Sequence, residues 1–313
     1  MRIKEERSRI TVDAPAKLNL FLEVIGKRAD GYHLLETVMV PVTLFDTLSF
    51  TPSEKKEVLL VSNDKEIPID ERNTVVKAVK RFCEYYGIEN MALKITLKKR
   101  IPQGAGLGGG SSDAVASLFA LYRWFKVPFK KEEAIEIARG IGADCPFFVH
   151  CRPALLTGIG DEVKRFLKLP ERLRFLVFVP NVTSSTALVY KNIHLTKEKK
   201  CAKLLVDCID KADLEGIRRE VFNRLEEASL TAYPELQSVA TEIRKIADFV
   251  MTGSGSGWFF VCERESTQQL REQLRRMGGR VLVVRPYEVK NRGGGGRRNE
   301  SDRGPHQVES DCG

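Results

Sequence analysis

Hydrophobic and polar positions alternate with a period of two at the start of the chain. Arg9-Ile10-Thr11-Val12-Asp13-Ala14 reads as a strand and runs into another alternating stretch at 15–24. There Lys17, Asn19, Phe21 and Glu23 fall on one face, and Leu18, Leu20, Leu22 and Val24 on the other. Lys17 and Asn19 therefore share a strand face. Residues 26–31 form a polar turn before Tyr32-His33, and an apolar stretch covers 34–50. The period becomes helical over 73–86, where Val75, Val76, Val79, Phe82 and Cys83 recur. Alternation returns over 93–101 and a helix is predicted from Ala114. A second helix over 131–141 is stopped by Gly140 and Gly142, and Pro146 keeps the chain from resuming it. Residues 153–160 read as a strand and turn, and the apolar run 175–179 as a buried strand. Helices over 202–209, 214–221, 234–246 and 267–277 then mix with strands near 250, 258–262 and 281–285.

Between the strand at 93–101 and the helix at 114 lies Pro102-Gln103-Gly104-Ala105-Gly106-Leu107-Gly108-Gly109-Gly110-Ser111-Ser112-Asp113. Five glycines in twelve residues are more than a tight turn needs, because each carries an entropic cost. Ser-Ser-Asp supplies cap hydroxyls and early negative charge for the helix that follows. A glycine loop opening onto a helix N-terminus cradles anions, since free N–H groups and the helix dipole point at the ligand. The loop is therefore expected to hold nucleotide phosphates. It contains Gly104-x-Gly106-x-x-Gly109, but residues 121–128 carry no acid, which argues against a dinucleotide fold. No Lys-Ser or Lys-Thr follows the glycines, so it is not a Walker loop.

Composition narrows the class. The chain has 313 residues, 42 % hydrophobic and 30 % charged, which makes a globular protein of about two domains. No apolar run reaches the roughly 18 residues of a membrane span, and the charged residues 1–9 lack the core of a signal peptide. Seven scattered cysteines without a Cys-x-x-Cys pair fit reduced thiols in a cytoplasm, and four histidines show no metal-ligand spacing. The formal charge of +9 suits a nucleic-acid binder, and it equally suits an enzyme handling two polyanions.

Other candidates gain meaning only in combination. Most loop aspartates cap a helix or satisfy a turn, and a strand lysine is usually a solvated edge. As a pair, Asp144 could take a proton from a hydroxyl while Lys17 keeps the carboxylate ionised. On composition alone Tyr32-His33 is core or turn filler. Residues 251–257 form a second glycine loop, either a plain hairpin or a ligand contact.

Together these segments resemble the GHMP kinase superfamily, whose motifs stand in order at 14–20, 102–112 and 252–257. Pro15-Ala16-Lys17-Leu18-Asn19-Leu20, Arg28-Ala29-Asp30-Gly31-Tyr32-His33 and Gly142-Ala143-Asp144-Cys145-Pro146-Phe147-Phe148 are similar to one branch of it, the 4-diphosphocytidyl-2-C-methyl-D-erythritol kinases. The resemblance implies a two-domain α+β GHMP kinase fold, with a ribosomal-S5-like domain at 1–155 and a ferredoxin-like domain at 156–288. A disordered tail is expected at 289–313.

The resemblance also implies roles. Asp144 would deprotonate the 2-hydroxyl of the methylerythritol, with Lys17 and Asn19 beside it. Pro102, Gly104, Ala105, Gly106, Leu107, Gly108, Gly109, Gly110, Ser111 and Ser112 would wrap the phosphates of ATP, with Ser112 at the magnesium-phosphate group. Mg2+ would travel with the nucleotide. His33 would bond the cytosine edge and Tyr32 stack on its ring, with Tyr190, four residues after Thr186, on the opposite face. Asn73 would lie near the adenine. The implied protein is a cytoplasmic monomer or weak homodimer that binds neither nucleic acid nor membrane. Two alternatives remain at this point: another superfamily kinase acting on mevalonate or homoserine, and a basic nucleic-acid-binding protein. The late loop, Gly253-Ser254-Gly255-Ser256-Gly257-Trp258, departs from the family pattern by an extra glycine and a tryptophan.

Overall fold

The computed structural model describes residues 1–89, 91–263 and 267–288, an α+β chain built on two sheets. The early alternation becomes an antiparallel meander of β1 (Arg2–Glu6), β2 (Arg9–Lys27) and β3 (His33–Pro52). β4 (Val58–Ser62) and β5 (Leu93–Lys98) extend it in the order β1-β2-β3-β5-β4. The two alternating stretches of 9–24 are thus one strand of 19 residues. Its register against β3 shifts at Pro15/Ala16 and again at Asn19/Phe21. Such bulges bend a strand and re-aim its side chains without ending it.

α1 (Thr74–Tyr86) begins at Asn73, whose Oδ1 accepts from the Val75 N–H at 2.8 Å, and ends at Gly87 in the left-handed region. α2 (Gly109–Trp124), α3 (Lys131–Arg139) and α4 (Cys145–His150) follow. One core cluster joins Leu48 and Phe50 of β3 to Phe82, Leu118, Phe147 and Phe148 of these helices. Two expectations are corrected here. α2 starts at Gly109, ahead of the Ser-Ser-Asp string, so Ser111 and Ser112 lie inside its first turn and no side chain caps it. Pro146 does not hold the chain out of a helix. It stands in the first turn of α4, where its missing N–H has no intrahelical acceptor to lose.

β6 (Ala154–Thr157) pairs with β3, and β7 (Glu162–Phe166) with β6, so the first sheet continues past residue 155. The chain then builds β8 (Arg174–Val179), α5 (Thr186–Lys191), α6 (Lys203–Asp210), α7 (Leu214–Glu220) and β9 (Phe222–Asn223). α8 (Leu225–Ala232), α9 (Glu235–Arg244), β10 (Val250–Met251), β11 (Trp258–Cys262), α10 (Gln268–Arg276) and β12 (Arg280–Val284) complete it. The second sheet runs β10-β11-β8-β12, antiparallel throughout. β9 leaves it and pairs in parallel with β2. Among the described residues no helix is long and apolar enough to cross a membrane. The expected tail at 289–313 lies outside the described residues.

A second core cluster joins Leu18, Leu20 and Val38 of the first sheet to Phe175, Val177 and Phe259 of the other. The bulge at Asn19/Phe21 breaks the expected alternation, so Phe21 joins Leu18 and Leu20 in this core while Leu22 and Val24 pack in another cluster. Lys17 and Asn19 are buried under the two glycine loops, and Glu23 is buried on the face to which the bulge turns it. Glu23 survives burial through Arg224, whose Nε and Nη2 donate to its two oxygens at 2.8 and 2.7 Å. Burial pushes the Glu23 carboxyl up, but Arg224 and the N–H groups of Lys200 and Val24 outweigh it and hold it below its ordinary value. That contribution is present above the unfolded carboxyl range and is lost as pH falls through the folded value. Arg224→Ala is expected to cost about 3–5 kcal/mol at neutral pH by stranding the charge. The deficit should shrink as acid protonates Glu23, which urea unfolding of both proteins at about pH 7 and about pH 4 would measure.

Candidate active site

The two glycine loops touch backbone to backbone. A Cβ at Gly106 would stand 1.9 Å from the Thr252 carbonyl oxygen, and φ there is +68°, so only glycine fits. Ser256 N donates to Gly104 O at 3.0 Å and Gly257 N to Ala105 O at 3.2 Å. On its other side the first loop is tied to β2, where Lys17 N donates to Leu107 O at 2.9 Å. A cleft of about 420 Å³ opens between these segments. The uncapped first turn of α2 faces it with N–H groups that have no intrahelical acceptor.

Lys17 Nζ donates to Asn19 Oδ1 and lies 3.8 Å from Asp144 Oδ2. Asn19 Nδ2 donates to Thr37 Oγ1 at 2.9 Å, which fixes the amide with its oxygen toward the lysine. Asn19 N donates to Thr252 Oγ1 at 2.9 Å, so the late loop is bonded to the same strand. Burial pushes the Lys17 ammonium down, and the charge of Asp144 pulls it back up. The Asp144 side chain is 32 % exposed against 4 % for Lys17, so the carboxylate opens to the cleft and the ammonium backs it. At 3.8 Å the pair is too long for a hydrogen bond and can admit a hydroxyl to both groups.

Beyond Asp144 lies an aromatic pocket. His33 and Tyr190 stack with ring centroids 5.0 Å apart and planes 24° from parallel. Tyr190 lines the cleft and also a neighbouring cavity of about 530 Å³, which His33, Lys27 and Lys191 share. Burial and then Lys27 push the His33 imidazole down, and burial and then Asp144 push the Tyr190 phenol up. Both rings are neutral at neutral pH and lie next to positive side chains.

Comparison with known proteins places the chain in a family. The GHMP kinases N terminal domain family matches residues 73–152. A 4-diphosphocytidyl-2-C-methyl-D-erythritol kinase of Bacillus pumilus is 36 % identical over 287 residues, covering 90 % of this chain and 99 % of that one. The Carboxydothermus hydrogenoformans enzyme of the same name is 34 % identical, with 88 % and 96 % covered. A crystal structure of 4-(cytidine 5'-diphospho)-2C-methyl-D-erythritol kinase aligns with TM-score 0.72 at 31 % identity, covering 88 % of this chain and 98 % of that one. The chain belongs to the 4-diphosphocytidyl-2-C-methyl-D-erythritol kinase family. Members of this family are ATP-dependent phosphotransferases with the two-domain GHMP kinase fold, and so is this chain. Homoserine kinase from Cytophaga hutchinsonii shares the fold, with TM-score 0.65 at 20 % identity and 91 % and 97 % covered.

In this kinase, Pro102 and every loop residue of 104–111 line the cleft. Ser112 does not: it is fully buried, and among the described residues its hydroxyl has no hydrogen-bond partner. Adjacent helical residues point about 100° apart, which here turns Ser112 into the core and leaves Ser111 at the cleft. Asn73 lines the wall, but its Oδ1 is held by the Val75 N–H and its Nδ2 donates to Pro68 O at 2.7 Å. Thr186 Oγ1 lies 2.8 Å from Ser254 Oγ and so bonds the late loop. Tyr32 is 55 % exposed and is not brought to Tyr190, whose face is covered by His33. Trp258 is buried in the second domain's core and does not face the cleft.

The sequence marks the late loop at 252–257 without assigning Thr252 or Ser254 a contact, and it gives no signal for the lysines at 27 and 191. Lys99 also lines the cleft, between Asp46 and Asp113. Burial pushes the Asp113 carboxyl up against the pull of Lys99, and the Asp46 charge adds to the rise. Gly106→Ala should keep the kinase folded while forcing the loops apart. Nucleotide affinity by calorimetry is expected to fall more than about tenfold, with circular dichroism unchanged.

Proposed function

We propose that this chain transfers the γ-phosphoryl group of ATP to the 2-hydroxyl of 4-diphosphocytidyl-2-C-methyl-D-erythritol, in the non-mevalonate route to isoprenoid precursors. One observation carries the reading: the Lys17–Asp144 pair stands between an anion-binding helix start and a pocket of neutral aromatic rings rimmed by lysines. A phosphate donor, an alcohol and a nucleobase diphosphate each find matching chemistry in that order.

The steps follow from the residues. The glycine loop and the first turn of α2 hold the nucleotide phosphates by N–H groups. Cytosine is taken up beside His33 and Tyr190: the His33 ring turns off the Tyr190 face that it covers in the free protein, bonds the edge of the base and leaves that face to stack on it. Tyr32 joins only if the exposed 28–32 turn closes over the base. Lys27 and Lys191 complement the diphosphate. The acceptor hydroxyl then lies against Asp144, which takes its proton, with the Lys17 ammonium 3.8 Å behind the carboxylate. Asn19, locked by Thr37, holds the ammonium in place.

Magnesium fits this donor set as an ion carried on the nucleotide. Among the described residues no three His, Cys, Asp or Glu side chains gather to hold a metal, and Mg2+ favours phosphate oxygens and waters. It supplies charge neutralisation of the phosphates, with the Ser111 hydroxyl available at the loop. Two structural domains, with the junction moved from 155 to beyond β7 at Phe166 because the first sheet runs that far, a cytoplasmic setting and a monomer or weak homodimer complete the proposal. The last two draw support from the thiols and the soluble composition alone.

Two measurements test it. Phosphorylation rates should strongly favour the cytidine diphosphate alcohol over mevalonate and homoserine; preference for either of those contradicts the assignment. Asp144→Asn should lower kcat by about 10²–10⁴-fold while binding ATP within about twofold of the parent. Near-normal turnover removes Asp144 from the role of base.

A further inference from the structure

Three charged side chains that the reaction does not use meet at the foot of the phosphate loop. Asp46, on β3, is fully buried. Its Oδ1 accepts from the backbone N–H groups of Arg100 and Ile101 at 2.5 and 2.8 Å, and its Oδ2 accepts from Lys99 Nζ. Lys99 Nζ donates again to Asp113 Oδ2 at 2.8 Å. Arg100 and Ile101 are the last residues before the loop, and Asp113 lies in the helix that receives it. The chain Asp46–Lys99–Asp113 therefore bridges the two ends of the loop across its base.

Other contacts show how closely the loop rests on this bridge. A Cβ at Gly109 would stand 3.1 Å from Lys99 Nζ. Asn63 grips the start of the loop from the other side, accepting from Lys99 N at 2.6 Å. Among the described residues Asp113 Oδ1 has no hydrogen-bond partner, and Lys99 holds the carboxylate through Oδ2. Both Lys99 and Asp113 line the nucleotide cleft. Two carboxylates sharing one ammonium in the interior are a costly way to gain stability, since well-packed apolar residues often do as well or better. A role in fixing geometry accounts for their presence.

We propose that Asp46, Lys99 and Asp113 form an ionic clasp that sets the span of the phosphate loop, with Asp46 and Asp113 as positioning residues for the nucleotide. The clasp rests on the reading of this loop as the ATP-phosphate site. It acts on ATP and not on the acceptor, because Asp144, Lys17 and the aromatic pocket stand on other segments. Asp46 holds the start of the loop through backbone bonds; Asp113 holds its end through a side-chain bond alone. The Asp113 arm is therefore the one that can be cut with least harm to folding.

Lys99→Met would strand two buried carboxylates and threatens the fold, so Asp113→Ala and Asp113→Asn carry the test. Calorimetry with a non-hydrolysable ATP analogue and magnesium, without acceptor, gives Kd. Steady-state kinetics give KM for each substrate, and thermal unfolding gives Tm. Asp113→Ala is expected to raise the analogue Kd and the ATP KM together by about tenfold, with kcat at saturating ATP and the acceptor KM within about twofold. Asp113→Asn keeps an oxygen for Lys99 and should recover most of that affinity. A lower Tm with unchanged Kd and KM in Asp113→Ala overturns the clasp and leaves a stabilising ion cluster. Failure of the parent protein to bind the analogue would overturn the phosphate-loop reading itself, and the clasp with it.

Discussion

The cleft depends on two backbones meeting without side chains between them. Where Gly106 lies on the Thr252 carbonyl, no other residue fits, and the first domain's phosphate loop becomes one wall with the second domain's late loop. The same late loop reaches Asn19 through Thr252 Oγ1. One stretch of β2 is thereby fixed against both loops, and Lys17 and Asn19 inherit their positions from that contact. The shared core beneath, from Leu18 and Leu20 to Phe175 and Phe259, keeps the two sheets from separating. The price of this closeness is a set of buried polar groups, each of which needs a partner.

Those partners explain the electrostatics. Lys17 is buried among the loops and faces Asp144, which remains open to the cleft, so the ammonium stabilises a carboxylate that can still meet a substrate. Glu23, four residues beyond Asn19 on the same strand, is neutralised by Arg224 from the second half of the chain. Lys99 answers two carboxylates at once. In each case a charge on the first sheet is satisfied from a segment distant in sequence. The charged residues thus specify how the segments meet, while the apolar cluster supplies the driving force.

Much of this was legible in the sequence. The period-two run placed Lys17 and Asn19 on a common face, and the glycine density with the following helix marked the anion site, because both signals are local. The family motifs then singled out Asp144 and the aromatic pair. What escaped depended on three dimensions. Asp46 is 53 residues from Lys99, and nothing in its neighbourhood hints at a buried ion. Ser112 looked equivalent to Ser111, but helical rotation sends one inward and leaves the other at the cleft. Pro146 read as a stop, although a first-turn proline opens a helix as readily as it ends one. The glycines of the first loop were assigned to phosphate alone, whereas Gly106 also answers to Thr252.

A structure of the chain with a non-hydrolysable ATP analogue, magnesium and 4-diphosphocytidyl-2-C-methyl-D-erythritol tests the central claim most directly. The account predicts the γ-phosphate at the first turn of α2, the 2-hydroxyl within hydrogen-bond reach of Asp144 and Lys17, and the cytosine in the His33–Tyr190 pocket with His33 at its edge. A hydroxyl held away from Asp144, or a base bound outside the His33–Tyr190 pocket, would contradict it.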